Sequence, residues 1–107
     1  MTYHVEVTDA AIVDAGEAYF WINESAPEAA LRWYEGLLQS FRSLAQNPKR
    51  CAVAPESAFF DEEIRHLVYG RYRVLFSVKG RTVFVLRVRH SSRDYWRPDD
   101  ETSSHEQ

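Results

Sequence analysis

From Ile64 to His90 the chain reads IRHLVYGRYRVLFSVKGRTVFVLRVRH. β-branched and aromatic residues alternate with polar ones at period two, and the run is broken by glycine. Such a pattern predicts strands over 64–69, 71–79 and 82–90, with Gly80 in the turn between the last two. A helix has period 3.6 and cannot hold this alternation on one face, so the C-terminal half must be sheet.

The N-terminal half follows a different rule. Residues 3–7 alternate as a short strand. Thr8 and Asp9 are good helix N-caps, and Ile12, Ala15, Tyr19 and Ile22 recur at helical spacing, predicting a helix over 10–23. Pro27 fits the first turn of a second helix whose buried stripe is Ala30, Tyr34, Leu37, Phe41 and Leu44, and Asn47-Pro48 ends it. Residues 48–62, with two prolines and no clear period, read as a loop with a short turn. The expected class is α+β, in the order β-α-α-β-β-β: a helical hairpin packed on a mainly antiparallel four-stranded sheet. The 107 residues suit one domain over 1–96, followed by an acidic, disordered tail over 97–107.

Charge divides the chain further. Residues 1–63 hold four basic and eleven acidic residues, 64–97 hold nine basic and one acidic, and 98–107 hold four acidic. The net charge of -3 therefore conceals a positive field centred on the sheet, as expected for contact with a polyanion or an acidic protein. With a three-residue loop at Lys79-Gly80-Arg81, Phe76 would pair with Phe84, Val74 with Leu86 and Tyr72 with Val88, all facing the helices. On the opposite face Arg73 would then lie across from Arg87 and Arg71 from Arg89. Like charges directly across a strand pair are unfavourable unless something anionic meets them, either a bound phosphate or acidic segment, or acids of the chain such as Glu62 and Glu63. Leu75, Val83 and Val85 would form an apolar patch on that same face.

Other chemistries lack support. Cys51 is the lone cysteine, which rules out an internal disulfide and is in keeping with a cytoplasmic protein. No apolar run is long enough to cross a membrane, and neither zinc-type Cys/His spacing nor a Gly-rich phosphate loop occurs. No metal and no cofactor are expected.

In its ordered segments SAPEAALRWYEGLLQSFRSLAQNP, EEIRHLVYGRYRVLFSV and VLRVRHSSRD, the chain resembles the RelE/ParE superfamily of bacterial type II toxins, many of them described as plasmid-stabilisation proteins. The resemblance implies a cytoplasmic toxin neutralised by a cognate antitoxin protein that covers apolar surface and often the basic groove. It also implies one of two mechanisms, with a degenerate member that no longer poisons anything as the remaining alternative. RelE-like members cleave mRNA on the ribosome without a metal, using cations against the phosphorane charge and a proton donor and acceptor. By that resemblance Arg73 matches the strand arginine at the scissile phosphate, and His90, Arg93 and Tyr95 are the C-terminal candidates. Arg71, Arg87 and Arg89 would bind nucleic acid or a partner. The sequence departs from that branch at DEEIRHL, where Glu62 and Glu63 stand in place of frequent lysines. ParE-like members inhibit DNA gyrase by protein contact, and VRHSSRD fits their V-x-H-x-x-x-D strand ending. On the residues alone His90 is equally a strand-end structural histidine, and Tyr95 and Trp96 are equally packing residues.

Overall fold

The computed structural model describes residues 2–99. The expected tail from Arg97 onward falls outside the described residues beyond Asp99. The elements are β1 (His4–Val7), α1 (Asp9–Ser25), α2 (Pro27–Ser43), β2 (Arg65–Tyr69), β3 (Tyr72–Lys79) and β4 (Thr82–His90), with 3-10 turns at Pro48–Arg50 and Pro55–Phe59 in the stretch expected to be loop. The four strands form one sheet in the order β1-β4-β3-β2, with β1 parallel to β4 and the other pairs antiparallel. The α+β order expected from the sequence is the observed one.

The helical hairpin is joined through a single residue. Ala26 closes α1 by donating its N–H to Ile22 O (2.9 Å) and opens α2 by accepting from Ala30 N (2.9 Å). Pro27 follows at the first helical position, where its missing N–H costs nothing. Thr8 caps α1 by accepting from Ala11 N at 3.2 Å. The stripe predicted for α2 is the buried one, with Ala30, Leu37, Phe41 and Leu44 in the core and Tyr34 half-buried. The helix predicted over 10–23 is α1; of its spaced residues Ala15 is buried, Tyr19 and Ile22 are half-buried and Ile12 is exposed, with Ala11 buried in its place. Ala11 and Ala15 are the α1 side chains buried in the core with Val83, Val85 and Val88 of β4.

The register of β3 and β4 differs from the expected one. Lys79 pairs with Thr82, so the loop is the two residues Gly80-Arg81, with Gly80 at φ +61. The other hairpin is built alike: Tyr69 pairs with Tyr72 around Gly70-Arg71, with Gly70 at φ +58. Positive φ at the first loop residue only is the pattern of a type II′ turn, whose twist matches that of the strands and which glycine alone adopts without strain. A two-residue loop puts Val83 and Val85, rather than Phe84 and Leu86, on the face of Val74, Phe76 and Val78. A bulge then restores the phase: Phe76 pairs with Val85 but Leu75 with Arg87, leaving Leu86 as the extra residue. Beyond it Val74 pairs with Val88, Arg73 with Arg89, and Tyr72 with His90.

The expected apolar patch is therefore absent from the surface. Val83 and Val85 are buried against the helices, and Leu75 is buried on the opposite face. That face has its own small core, in which Ala54, Ile64, Leu75 and Trp96 pack with Phe60 and Leu86. The segment around Pro55–Phe59 and the chain after β4 thus cover the side of the sheet away from the helices.

The bulge is held by α1. β1 ends at Val7, so the edge of β4 beyond Val85 has no strand beside it. Thr8 Oγ1 donates to Leu86 O at 3.1 Å, and Asp14 Oδ2 accepts from Val88 N at 2.9 Å. Two side chains of α1 take the place of a strand.

Candidate functional site

Arg73 lies on β3, on the face away from the helices, and is nearly buried at 8% exposure. Its guanidinium is held by a carboxylate that no local pattern announces. Arg73 Nη1 donates to Glu56 Oε1 at 2.9 Å and Nη2 to Glu56 Oε2 at 2.6 Å, the planar two-point geometry that suits arginine best. Glu56 is fully buried in the 3-10 turn Pro55–Phe59 and also accepts from Trp96 N at 3.2 Å. Burial alone would raise its pKa. The hydrogen bonds from Arg73 and Trp96 outweigh burial, and the carboxyl sits below the ordinary glutamate value.

Arg73 Nη1 also approaches His66 Nδ1 at 3.1 Å. A guanidinium has only donors, so Nδ1 accepts and the imidazole is neutral with its proton on Nε2. Burial, with the Arg73 charge behind it, pushes the His66 pKa below its usual value. Across the strand pair Arg89 is likewise buried, and its Nη2 donates to Asp94 O at 2.7 Å. The ring of Tyr95 lies 5.8 Å from Arg73 Cζ.

The other expected contributors are distributed elsewhere. Arg87, beside the bulge, makes a two-point pair with Asp14 of α1, Nε to Oδ2 at 2.8 Å and Nη2 to Oδ1 at 2.9 Å. Arg71 sits in the β2–β3 turn, exposed, rather than across from Arg89. The acids expected to neutralise the basic stripe do not do so: Glu62 lies 3.6 Å from Lys79 and Glu63 3.0 Å from Arg65. Glu56 and Asp14 neutralise it instead.

His90 belongs to the helix side. Its ring meets Tyr72 edge to face at 5.0 Å, and Nδ1 accepts from Ser92 N at 3.1 Å and contacts Ser92 Oγ at 2.7 Å. It borders an open groove of about 420 Å³ with Asp14, Glu17, Trp21, Tyr72 and Arg93. Arg73 and His90 therefore stand on opposite faces of the sheet. Tyr95 shares the face of Arg73, and Arg93 lies at the sheet end, bordering both the His90 groove and a second hollow with Tyr95 and Arg97.

The expected site residues fall into two groups among the described residues: Arg73, Arg89 and Tyr95 on the face away from the helices, and His90 with Arg93 at the groove beside α1. Among the described residues no cluster of three or more His, Cys, Asp or Glu could hold a metal ion, and no helix is long and apolar enough to cross a membrane. The helical hairpin exposes Ile12, Val13, Phe20, Trp21 and Leu31; Phe20 and Leu31 border one hollow between the helices, and Trp21 borders the His90 groove.

The family model described as ParE toxin of type II toxin-antitoxin system, parDE, matches residues 5–95. No curated protein matches the chain. Among solved structures, a chain of the chromosomal ParDE toxin-antitoxin system from P. aeruginosa superposes with a TM-score of 0.70 at 22% identity, over 83% of this chain and 96% of that one. A chain of the RelBE2 toxin-antitoxin complex from Mycobacterium tuberculosis superposes with a TM-score of 0.53 at 23% identity, over 84% of this chain and 99% of that one. At such identities the two likenesses establish the fold.

Proposed function

Since the chain belongs to the ParE toxin family of type II toxin-antitoxin systems, we propose that it is a non-catalytic toxin that acts by binding a protein target, with DNA gyrase as the target implied by its resemblance to that branch. The observation that carries this reading is the Arg73–Glu56 pair. A ribonuclease needs a cation free to meet the charge that builds on a phosphorane. Here both outer nitrogens of Arg73 already meet a buried carboxylate, which would itself repel a phosphate. His90, the candidate proton carrier, is on the other side of the sheet.

One observation speaks for the endoribonuclease reading. Arg73, Arg89, His66 and Tyr95 share one face, so withdrawal of Glu56 would leave two guanidinium groups, an imidazole and a phenol beside one another. The partner in either case is a cognate antitoxin, and the apolar side chains exposed on α1 and α2 support such a contact. The toxin domain would comprise residues 1–96, acting in the cytoplasm.

Two assays run side by side test the proposal. Purified toxin should inhibit supercoiling by gyrase and leave mRNA intact on translating ribosomes. Cleavage of mRNA in the ribosomal A site, with gyrase unaffected, would refute it.

A further inference from the structure

We infer that Glu56, together with Arg73 and Arg89, is a positioning residue that fixes the segment after β4 as a rigid interaction surface for an acidic protein. The inference rests on the protein-binding reading above. Residues 91–99 contain a single buried side chain, Trp96, and the others are exposed. A segment so exposed would ordinarily be mobile. This one is gripped from beneath at successive residues. Arg89 holds Asp94 O at 2.7 Å and Glu56 holds Trp96 N at 3.2 Å, both through the main chain. The guanidinium of Arg73 lies under the Tyr95 ring, Phe60 lies 4.4 Å from Trp96, and Phe59 lies 4.3 Å from Arg97 Cζ. The platform is the Pro55–Phe59 turn with Phe60, and the buried Glu56, Arg73 and Arg89 lie beneath it.

What the grip displays is specific. Arg93 is exposed and has no ion pair among the described residues. Tyr95 is half-exposed. The start of the segment is tied to the β2–β3 turn, where Ser91 donates to Arg71 O from both its N–H (2.7 Å) and its hydroxyl (2.8 Å). Arg93 and Tyr95 border one hollow; an arginine and a tyrosine side by side anchor protein interfaces well, and a fixed backbone spares the entropy of ordering them on binding. The complementary surface carries carboxylates around an apolar depression for the Tyr95 ring.

The first variant is Glu56→Leu with Arg73→Met, which removes the ion pair as a unit and leaves Arg89 bonded to Asp94 O. A purely structural pair would leave function intact when so replaced. Expected are wild-type folding by circular dichroism, at least a tenfold loss of hydrogen-exchange protection at the Trp96 amide relative to β3, and loss of growth arrest on induction at equal protein level. Growth arrest reports toxicity whatever the target. A variant that has lost Trp96 protection yet still arrests growth overturns the inference, as does unchanged Trp96 protection. If the wild-type toxin fails to inhibit gyrase, the target assignment fails, and Glu56→Asp, which keeps Arg73, decides the positioning role by the same two measurements. Should the double variant not fold, Glu56→Asp serves, since its shorter carboxylate meets Arg73 but falls short of Trp96 N. Arg93-dependent retention of the wild-type toxin on poly(U) RNA would overturn the acidic-protein partner.

Discussion

Replacing Asp14 tests how a helix can stand in for a missing strand. Its carboxylate holds Arg87 at 2.8 and 2.9 Å and accepts from Val88 N at 2.9 Å, all beside the β4 bulge. The carboxylate is nearly buried and the guanidinium mostly so, at 10% and 19% exposure. Asp14→Ala leaves the Val88 amide without its acceptor, at about 1–3 kcal/mol, and removes a charge-assisted pair of about 1.5–3 kcal/mol. A total near 3–5 kcal/mol is expected, the range for breaking a buried pair from one side. Asp14→Asn keeps an oxygen for Val88 N and loses only the charge, so it should cost about half as much. Urea unfolding followed by tryptophan fluorescence measures both, with Trp33 and Trp96 in packed surroundings. The midpoint should fall while the slope stays constant. If Asp14→Ala costs under about 1 kcal/mol, or if the two variants cost the same, then the carboxylate does not support the bulge and the reasoning fails.

Two further outcomes are expected. At Gly36 in α2 a Cβ would lie 2.0 Å from Tyr69 Oη and 2.9 Å from Cζ, where Tyr69 donates to Trp33 O. Helix propensity favours alanine by about 1 kcal/mol, yet Gly36→Ala should destabilise by about 1–3 kcal/mol through overpacking. Adding Tyr69→Phe should recover part of that loss, and a stabilised Gly36→Ala protein would contradict the α2–β2 packing. The second outcome concerns pH. His66 and Glu56 both have native pKa values below their ordinary 6.5 and 4.5. In each case the unfolded chain takes up the proton first, so stability falls on acidification. The His66 contribution is lost as pH drops from about 6.5, and that of Glu56 from about 4.5. Urea midpoints measured from pH 8 to 3 should show the first decline vanish in His66→Gln and the second persist.

The element order was legible because each period is written locally. Pro27 marks the hairpin link, and Ala30, Leu37, Phe41 and Leu44 name the buried face of α2. Strand pairing was legible and its register was not. Whether Gly80 begins a two-residue loop or sits within three cannot be read from alternation, because the bulge at Leu86 makes residues on both faces apolar. The groups that hold that bulge lie far off in sequence, Thr8 at 78 residues and Asp14 at 74. The basic face shows the same limit. Arg73 and Arg89 do stand across from one another, in accord with a concentration of arginine on one face. Their neutralisation by Glu56 and by a main-chain carbonyl depends on tertiary placement of a segment with no period of its own. Ile12 misled, since Ala11 is the residue buried in its place.

The parallel pairing of β1 with β4 has a consequence for synthesis. His4 is hydrogen-bonded into register with Thr82, and Thr8 and Asp14 wait for Leu86 and Val88. The first strand made is joined to the last, and nothing between them can take its place. At about 5–20 residues per second, roughly 4–16 s separate the two during translation. Through that interval α1 and α2 exist without the strand that buries Ala11 and Ala15, and the Glu56 platform exists without the segment it grips. The toxin fold is thus withheld until β4 has been made, and a chain stopped before β4 should fail to arrest growth.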